Sequence, residues 1–169
     1  LENGDWGAIR LDLTRLPIAE APADAPEEVI LNFLESQGIS KDTDGNVSLD
    51  LWGTGTPLRE FLHVEDMADA CVYVMENIDF DDLKPKNSGE IRNTHINIGS
   101  GKELTIRQLS EIVQRVTGFK GNIRFDATKP DGTMRKLLDV SKLEKLGWKA
   151  KIELEEGVNR VFHDFYMKG

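Results

Sequence analysis

The chain has a single cysteine, Cys71, in 169 residues, so no internal disulfide can form, and a reducing compartment such as the cytoplasm suits it. No apolar run approaches the roughly 18 residues needed to span a bilayer. No basic start followed by a short apolar block marks a secretory leader. Cations are in deficit: 21 Lys and Arg face 30 Asp and Glu, for a net charge of -9. That balance argues against nucleic acid or an anionic membrane as partner, because both select basic surfaces. An anionic ligand would have to find cations gathered locally. The three histidines, His63, His95 and His163, lack metal-ligand spacing and clustered cysteines, so no metal site is expected.

What is present is a chain long enough for one ordinary core, with 39% apolar residues and a mean hydropathy of -0.39. It opens on Leu1, which reads as a fragment or processed product, and Leu1 to Trp6 resembles the tail of a helix leaving through Gly4. Pro17, Pro22 and Pro26 make a loop that propagates neither helix nor sheet. Asp24 with Glu27 is spaced to cap a helix whose apolar face is Ile30, Phe33 and Leu34, ended by Gly38. The polar turn from Lys41 to Asn46 lacks the further oxygen ligands of a calcium loop. Residues 1–46 thus read as an insertion-like loop and helix, and residues 47–169 as the main region.

From Val47 the chain becomes regular. Val47, Leu49 and Leu51 alternate into Trp52 as a half-buried strand, and Phe61 to Val64 reads as a second strand. Glu65 and Asp66 favour a helix start, with Met67, Cys71, Val74 and Met75 on one face and Ala68 and Val72 beside it, which predicts burial on more than one side. His95 to Ile98 reads as a short buried strand. Thr105 and Gln108 form a capping box for a helix facing inward through Leu109, Ile112, Val113 and Val116, stopped by Gly118. Asn122 to Phe125 is a strand; Ser141 and Glu144 suggest a second capping box; Leu154 to Phe165 marks the last helix. Strands alternating with helices predict an α/β fold.

Three segments carry chemistry. The first runs from Trp52 through Gly53-Thr54-Gly55 and Arg59 to Asp66. The second joins Asn97-Ile98-Gly99-Ser100-Gly101 to Thr105-Ile106-Arg107-Gln108-Leu109. The third is Phe125 to Val140, with Lys129-Pro130-Asp131-Gly132-Thr133-Met134-Arg135-Lys136, continuing to Trp148. A diphosphate wants cations on a rigid frame, and Arg59 sits where a glycine-rich turn enters a strand. The same residues have plainer readings. Trp52 can be a packing aromatic, Arg59 can pair with Glu60 or Glu65, and Lys129 and Arg135 can be solvated turn cations. Gly99 to Lys102 lacks the full phosphate-loop spacing and reads as a turn. Cys71 reads as a buried thiol, and His63 as structural.

In order and spacing the three segments resemble the GDP-L-fucose synthases, within the extended short-chain dehydrogenase family of NAD-dependent epimerases and dehydratases. The Lys-Pro-Asp-Gly-Thr-x-Arg-Lys run is the most particular of them; Met134 stands where that family often has proline. The resemblance implies the C-terminal substrate-binding region of an extended short-chain dehydrogenase, with late elements that complete the Rossmann domain of the intact enzyme. It implies substrate-binding roles for Trp52, Arg59 and Lys136, with Lys129 and Arg135 as further candidates. It also implies a GDP-sugar substrate, NADP(H) in the intact enzyme and none bound by this chain alone, a missing N-terminal Rossmann half, and a homodimer when intact.

No residue is assigned to catalysis. The glycine-rich first turn is absent, and so is the tyrosine four residues before a lysine: Tyr73 is followed at that spacing by Asn77, and Tyr166 by nothing. The cysteine and histidine that serve epimerisation in the fucose synthases precede the region of resemblance. Two other readings stay open: part of another extended-family enzyme acting on UDP- or dTDP-sugars, and a noncatalytic nucleotide-sugar-binding module.

Overall fold

The computed structural model describes residues 1–15, 18, 21–85 and 91–168, without the side chains of 166–168. In chain order the elements are α1 (Trp6–Arg15), α2 (Glu27–Ser36), β1 (Ile39–Lys41), β2 (Val47–Trp52), β3 (Leu58–Glu60), α3 (Val64–Asn77), α4 (Phe80–Leu83), β4 (Glu103–Thr105), α5 (Ile106–Thr117), β5 (Asn122–Asp126), β6 (Arg135–Lys136), α6 (Ser141–Lys145) and α7 (Leu154–Lys168). They build two three-stranded sheets, ordered β1-β2-β5 and β4-β3-β6. Each has a central strand with one antiparallel and one parallel neighbour. The α/β expectation holds.

The first core, Leu13, Ala21, Ile30 and Leu34, joins α1 and α2. Helix α1 was not expected. Its start is signalled by Asp5, whose carboxylate accepts from the Ala8 N–H at 2.9 Å, so Trp6 begins a helix and does not end one. Arg10 on α1 donates to the carbonyls of Ala23 and Ala25 at 2.6 and 2.8 Å, which ties down the loop around Pro22; Pro17 lies outside the described residues. The expected Asp24 cap does not form. Pro26 holds the N-cap position and the acids Glu27 and Glu28 fill the first turn. Strand β1, also unforeseen, pairs with β2 from Ile39 opposite Leu49 to Lys41 opposite Val47.

The second core is Ala70, Leu143 and Trp148, with Leu62, Tyr73, Ile96 and Ile98 packed around it. Two carboxylates of α3 secure it. Buried Asp66 accepts the N–H groups of Lys151 and Ile152 at 3.1 and 2.9 Å, and Asp69 accepts the Trp148 indole N–H at 2.8 Å and the Lys151 ammonium at 3.0 Å. Tyr73 completes the grip by donating to the Leu146 carbonyl at 2.8 Å.

Several expectations change here. The strand placed at Phe61 to Val64 lies earlier, at Leu58–Glu60, because pairing ends at Glu60 with β4 and at Arg59 with β6; His63 then caps α3, accepting from the Glu65 N–H. The buried face of α3 carries Asp66 and Ala70, whereas Met67, Val72 and Met75 are exposed and Cys71 is an exposed thiol. A small alanine lets the helix approach the 143–152 segment, and no described element covers the opposite face. His95 to Ile98 forms no strand; Lys142 holds the segment by donating to the carbonyls of Asn93 and His95. The Thr105–Gln108 capping box and the left-handed Gly118 are as expected. The Ser141–Glu144 box is not: Val140 is the N-cap, and the Ser141 N–H donates to Asp139.

Two outcomes follow from the α3 grip. Asp66→Ala strands two part-buried N–H groups and should cost about 2 kcal/mol in a denaturant melt. The Asp69 carboxyl is held below its ordinary 3.8, first by the Trp148 indole and then by Lys151. Its folded value is therefore below its unfolded one, so its stabilisation is complete above 3.8 and lost as pH falls through the lower folded value. Asp69→Asn should flatten that part of the acid limb, measured as the melt midpoint against pH.

Candidate functional site

Three loops distant in sequence meet where β2 passes into β3. Gly53 and Gly55 both take left-handed backbone angles, with φ of 84° and 76°. The turn they make is clasped by Asp131, whose carboxylate accepts the Thr54 N–H at 2.6 Å and the Thr54 hydroxyl at 2.8 Å. The approach is so close that a Cβ on Gly53 would lie 2.3 Å from Asp131 Oδ1, and one on Gly55 would lie 2.5 Å from the Phe125 ring. Arg107, at the start of α5, stacks 4.1 Å above that ring and donates to the Thr54 carbonyl at 3.0 Å. All three sequence segments therefore share one corner.

The clasp sets the register of the second sheet. The Leu58 N–H donates to the Met134 carbonyl at 2.8 Å, and β3 runs parallel to β6 with Leu58 opposite Arg135 and Arg59 opposite Lys136. Directly paired residues share a sheet face, so Arg59 and Lys136 stand side by side, 77 positions apart in sequence. Arg59 is half-buried and donates to its neighbour's carbonyl, that of Leu58, at 2.7 Å; it pairs with neither Glu60 nor Glu65. Glu65 bonds Arg160 at 2.9 Å instead. Among the described residues no carboxylate neutralises Arg59 or Lys136. Two adjacent cations without an anion repel each other, an arrangement that a dianionic ligand would relieve.

The other candidates separate. Arg135 points to the opposite face of β6 and bonds Glu103 at 2.8 Å, which raises its guanidinium pKa. Lys129 lies 5.7 Å from the centre of the Trp52 ring, and Trp52 is 73% exposed, so the indole presents a face to solvent with a cation beside it. Asp126 sits at the base of this shelf. Its carboxyl is held low first by the Thr128 hydroxyl and then by the Thr128 N–H, with Lys129 adding a smaller effect.

The Gly99-Ser100-Gly101 turn is structural, and it is occupied by the chain itself. Glu60 accepts the Gly101 N–H at 2.6 Å and, with its other oxygen, the Leu138 N–H at 3.1 Å. A Cβ at Gly99 would sit 2.5 Å from Glu60. This is the nearest thing to a pyrophosphate cradle among the described residues, and a carboxylate already fills it. The described residues of this turn therefore do not fit a pyrophosphate seat. Tyr73 is committed to the Leu146 carbonyl, and the side chain of Tyr166 lies outside the described residues. No group of three or more metal-ligating side chains occurs among the described residues, and none of their helices is long and apolar enough to cross a membrane.

Sequence reasoning missed Asp131, Arg107 and Glu60. The Pro-Asp-Gly turn marked Asp131 only as a turn former, since its partner Thr54 is 77 residues away. Arg107 gave no signal beyond its place in the second segment. Glu60 could have been found from the turn at Gly99, whose free N–H groups need an acceptor.

Residues 14–99 match the NAD dependent epimerase/dehydratase family. The chain belongs to that family. Among named relatives it is 48% identical over 125 residues to GDP-L-fucose synthase 1 of Arabidopsis thaliana, covering 74% of this chain and 35% of that protein. It is likewise 48% identical over 118 residues to GDP-L-fucose synthase of Escherichia coli, covering 68% of this chain and 35% of the relative. The chain thus spans about a third of the length of these relatives. Among solved structures, a GDP-6-OMe-4-keto-L-xylo-heptose reductase from C. jejuni aligns with all of this chain and 44% of its own, at 36% identity and a TM-score of 0.84. A GDP-D-glycero-L-gluco-heptose synthase from the same organism, solved in the presence of NADPH, covers 95% of this chain and 42% of its own, at 37% identity and a TM-score of 0.76.

The clasp yields a direct check. Gly53→Ala forces a side chain into left-handed backbone and against Asp131, and should lower stability by at least about 1 kcal/mol in a denaturant melt.

Proposed function

We propose that this chain is the substrate-binding C-terminal part of an NADPH-dependent GDP-L-fucose synthase. The intact enzyme epimerises two ring carbons of GDP-4-keto-6-deoxy-mannose and reduces its keto group, acting as isomerase and oxidoreductase in the cytoplasm as a homodimer. The observation that carries this reading is the pair Arg59 and Lys136, register partners with no carboxylate between them in a chain of net charge -9. Arg59 would hold one phosphate and Lys136 the other or the adjoining sugar, while Trp52 offers its exposed ring to the base or sugar and Lys129 adds charge beside it. Arg135 would act through the sheet, steadying β6 by its bond to Glu103.

When bound, the nicotinamide supplies hydride to the keto carbon; its pyrophosphate seat, the proton-moving tyrosine and lysine, and the epimerising pair would come from the N-terminal Rossmann half. This chain's part is to bind and orient. Residues 1–46 would form an insertion-like element laid beside the 47–169 region and tied to it through β1.

A second reading has one observation in its favour. The structure of the C. jejuni heptose reductase aligns with the whole chain, including the first 46 residues, at 36% identity and a TM-score of 0.84. That favours a GDP-linked sugar of another kind, processed on the same frame.

Calorimetric titration with GDP, UDP and dTDP should show tighter binding of GDP. Arg59→Ala and Lys136→Ala should each weaken it about ten- to a hundredfold, the loss of one charge-assisted hydrogen bond. Equal binding of all three nucleotides, or variants that bind as well as the parent, would sink the reading. GDP-4-keto-6-deoxy-mannose against a GDP-heptose then separates the two sugars. The isolated chain should oxidise NADPH no faster than a buffer control.

A further inference from the structure

The two faces of the β1-β2-β5 sheet differ in kind. Leu49, Leu51 and Ile123 line an apolar cavity with Leu109 and Val113 of α5. The other face is polar and runs in register pairs: Asp50 opposite Arg124, ion-paired at 2.6 Å, then Trp52 opposite Asp126. Register partners share a face, so the exposed Trp52 indole and the Asp126 carboxylate stand side by side. The carboxylate is fixed, and its two oxygens are unequal. Oδ1 accepts the Thr128 hydroxyl at 2.6 Å and the Thr128 N–H at 3.0 Å, while Oδ2 has no hydrogen-bond partner among the described residues. Arg124, on the same face, is committed to Asp50 and Ser40. The Thr128 bonds also hold the Asp126 carboxyl below its ordinary 3.8, so it is ionised at neutral pH. On the indole itself, the Lys129 ammonium lies 5.7 Å from the ring centre, without an ion-pair partner among the described residues.

We infer that Asp126 reads the nucleotide base, and that the base it selects is guanine. The inference rests on the proposed function and deepens it, from a nucleotide-sugar site to the group that sets its base. A flat ring stacked on the indole leaves its edge to the side chains beside it. There the edge meets an acceptor that cannot donate, the Asp126 carboxylate, and a donor that cannot accept, the Lys129 ammonium. Guanine presents both complements: N1–H and the N2 amino group are donors, and O6 and N7 are acceptors. Uracil and thymine carry a carbonyl on each side of their single ring N–H, so a carbonyl oxygen would lie against the carboxylate. Adenine offers one amino group flanked by the acceptors N1 and N7, so the carboxylate gains one donor and meets a lone pair. Discrimination of this kind comes from the repelled partner as much as from the satisfied one.

Calorimetric titration of the 169-residue chain with GDP, IDP and UDP tests the assignment. The parent should bind GDP at least about fivefold tighter than IDP, which lacks only the N2 amino group. Asp126→Asn keeps an oxygen to accept from Thr128 but puts an NH2 where the free oxygen stands, so it opposes guanine's donors. It should cut the GDP-to-UDP affinity ratio at least about tenfold, with UDP bound no more weakly than by the parent. Equal binding of GDP and IDP by the parent would overturn the inference. So would a variant that keeps the parent's GDP-to-UDP ratio, including one that weakens both nucleotides by the same factor, the mark of a disturbed turn. The GDP and IDP comparison needs no variant and decides alone if Asp126→Asn does not fold. Arg59→Ala separates this inference from the phosphate site, because it should weaken GDP and UDP alike. A GDP preference that survives Asp126→Asn while Arg59→Ala weakens binding defeats the inference alone. A ratio that collapses in Asp126→Asn while Arg59→Ala binds as the parent does defeats the phosphate site and leaves base reading in place.

Discussion

The carboxylate of Asp131, closed over the N–H and hydroxyl of Thr54, is the constraint on which the candidate site depends. Neither β3 nor β6 could fix its own register: they are three and two residues long, and their pairing offers few hydrogen bonds. The clasp supplies what the strands lack by holding the loop before β3 against the loop before β6. Leu58 then meets the Met134 carbonyl, and Arg59 falls beside Lys136. A slip of one residue would turn Lys136 to the other face and bring Arg135 in its place. Specificity of placement comes from a side chain on a turn, reinforced by Arg107 and the Phe125 ring on the far side of the same loop.

How much of this was legible in the sequence depends on the range of each interaction. Local signals read well. Alternation found β2, the Thr105–Gln108 box and Gly118 bracketed α5, and apolar spacing found α7. Signals that needed a distant partner did not. The strands β1, β4 and β6 are two or three residues long and exist only through their neighbours, so no periodicity could announce them. Helix α3 shows a third kind of failure. Its apolar residues were counted correctly, but hydropathy cannot say which of two apolar faces this chain itself buries, and Ala70 with a satisfied Asp66 outcompeted Met67 and Met75. The site divides in the same way: Arg59 and Lys136 were nameable from their surroundings, whereas their adjacency needed the fold.

The acidic character of the chain acquires structure when the ion pairs are placed. Cations away from the site are mostly engaged: Arg115 with Glu155, Arg124 with Asp50, Arg135 with Glu103, Lys151 with Asp69 and Arg160 with Glu65. Most are exposed and contribute little stability each. Arg59 and Lys136 are not among these pairs, so that sheet face carries two cations that no described carboxylate engages. A locally positive patch in a negative field steers an anion toward one place and away from the rest of the surface.

The Gly99-Ser100-Gly101 turn bears on that selectivity in another way. Glu60 is an internal competitor, tethered beside the turn's N–H groups at an effective concentration that free phosphate cannot match. A phosphate entering there would have to evict a carboxylate whose register partner is Glu103, leaving two acids facing each other. The molecule thus closes its own decoy at that turn.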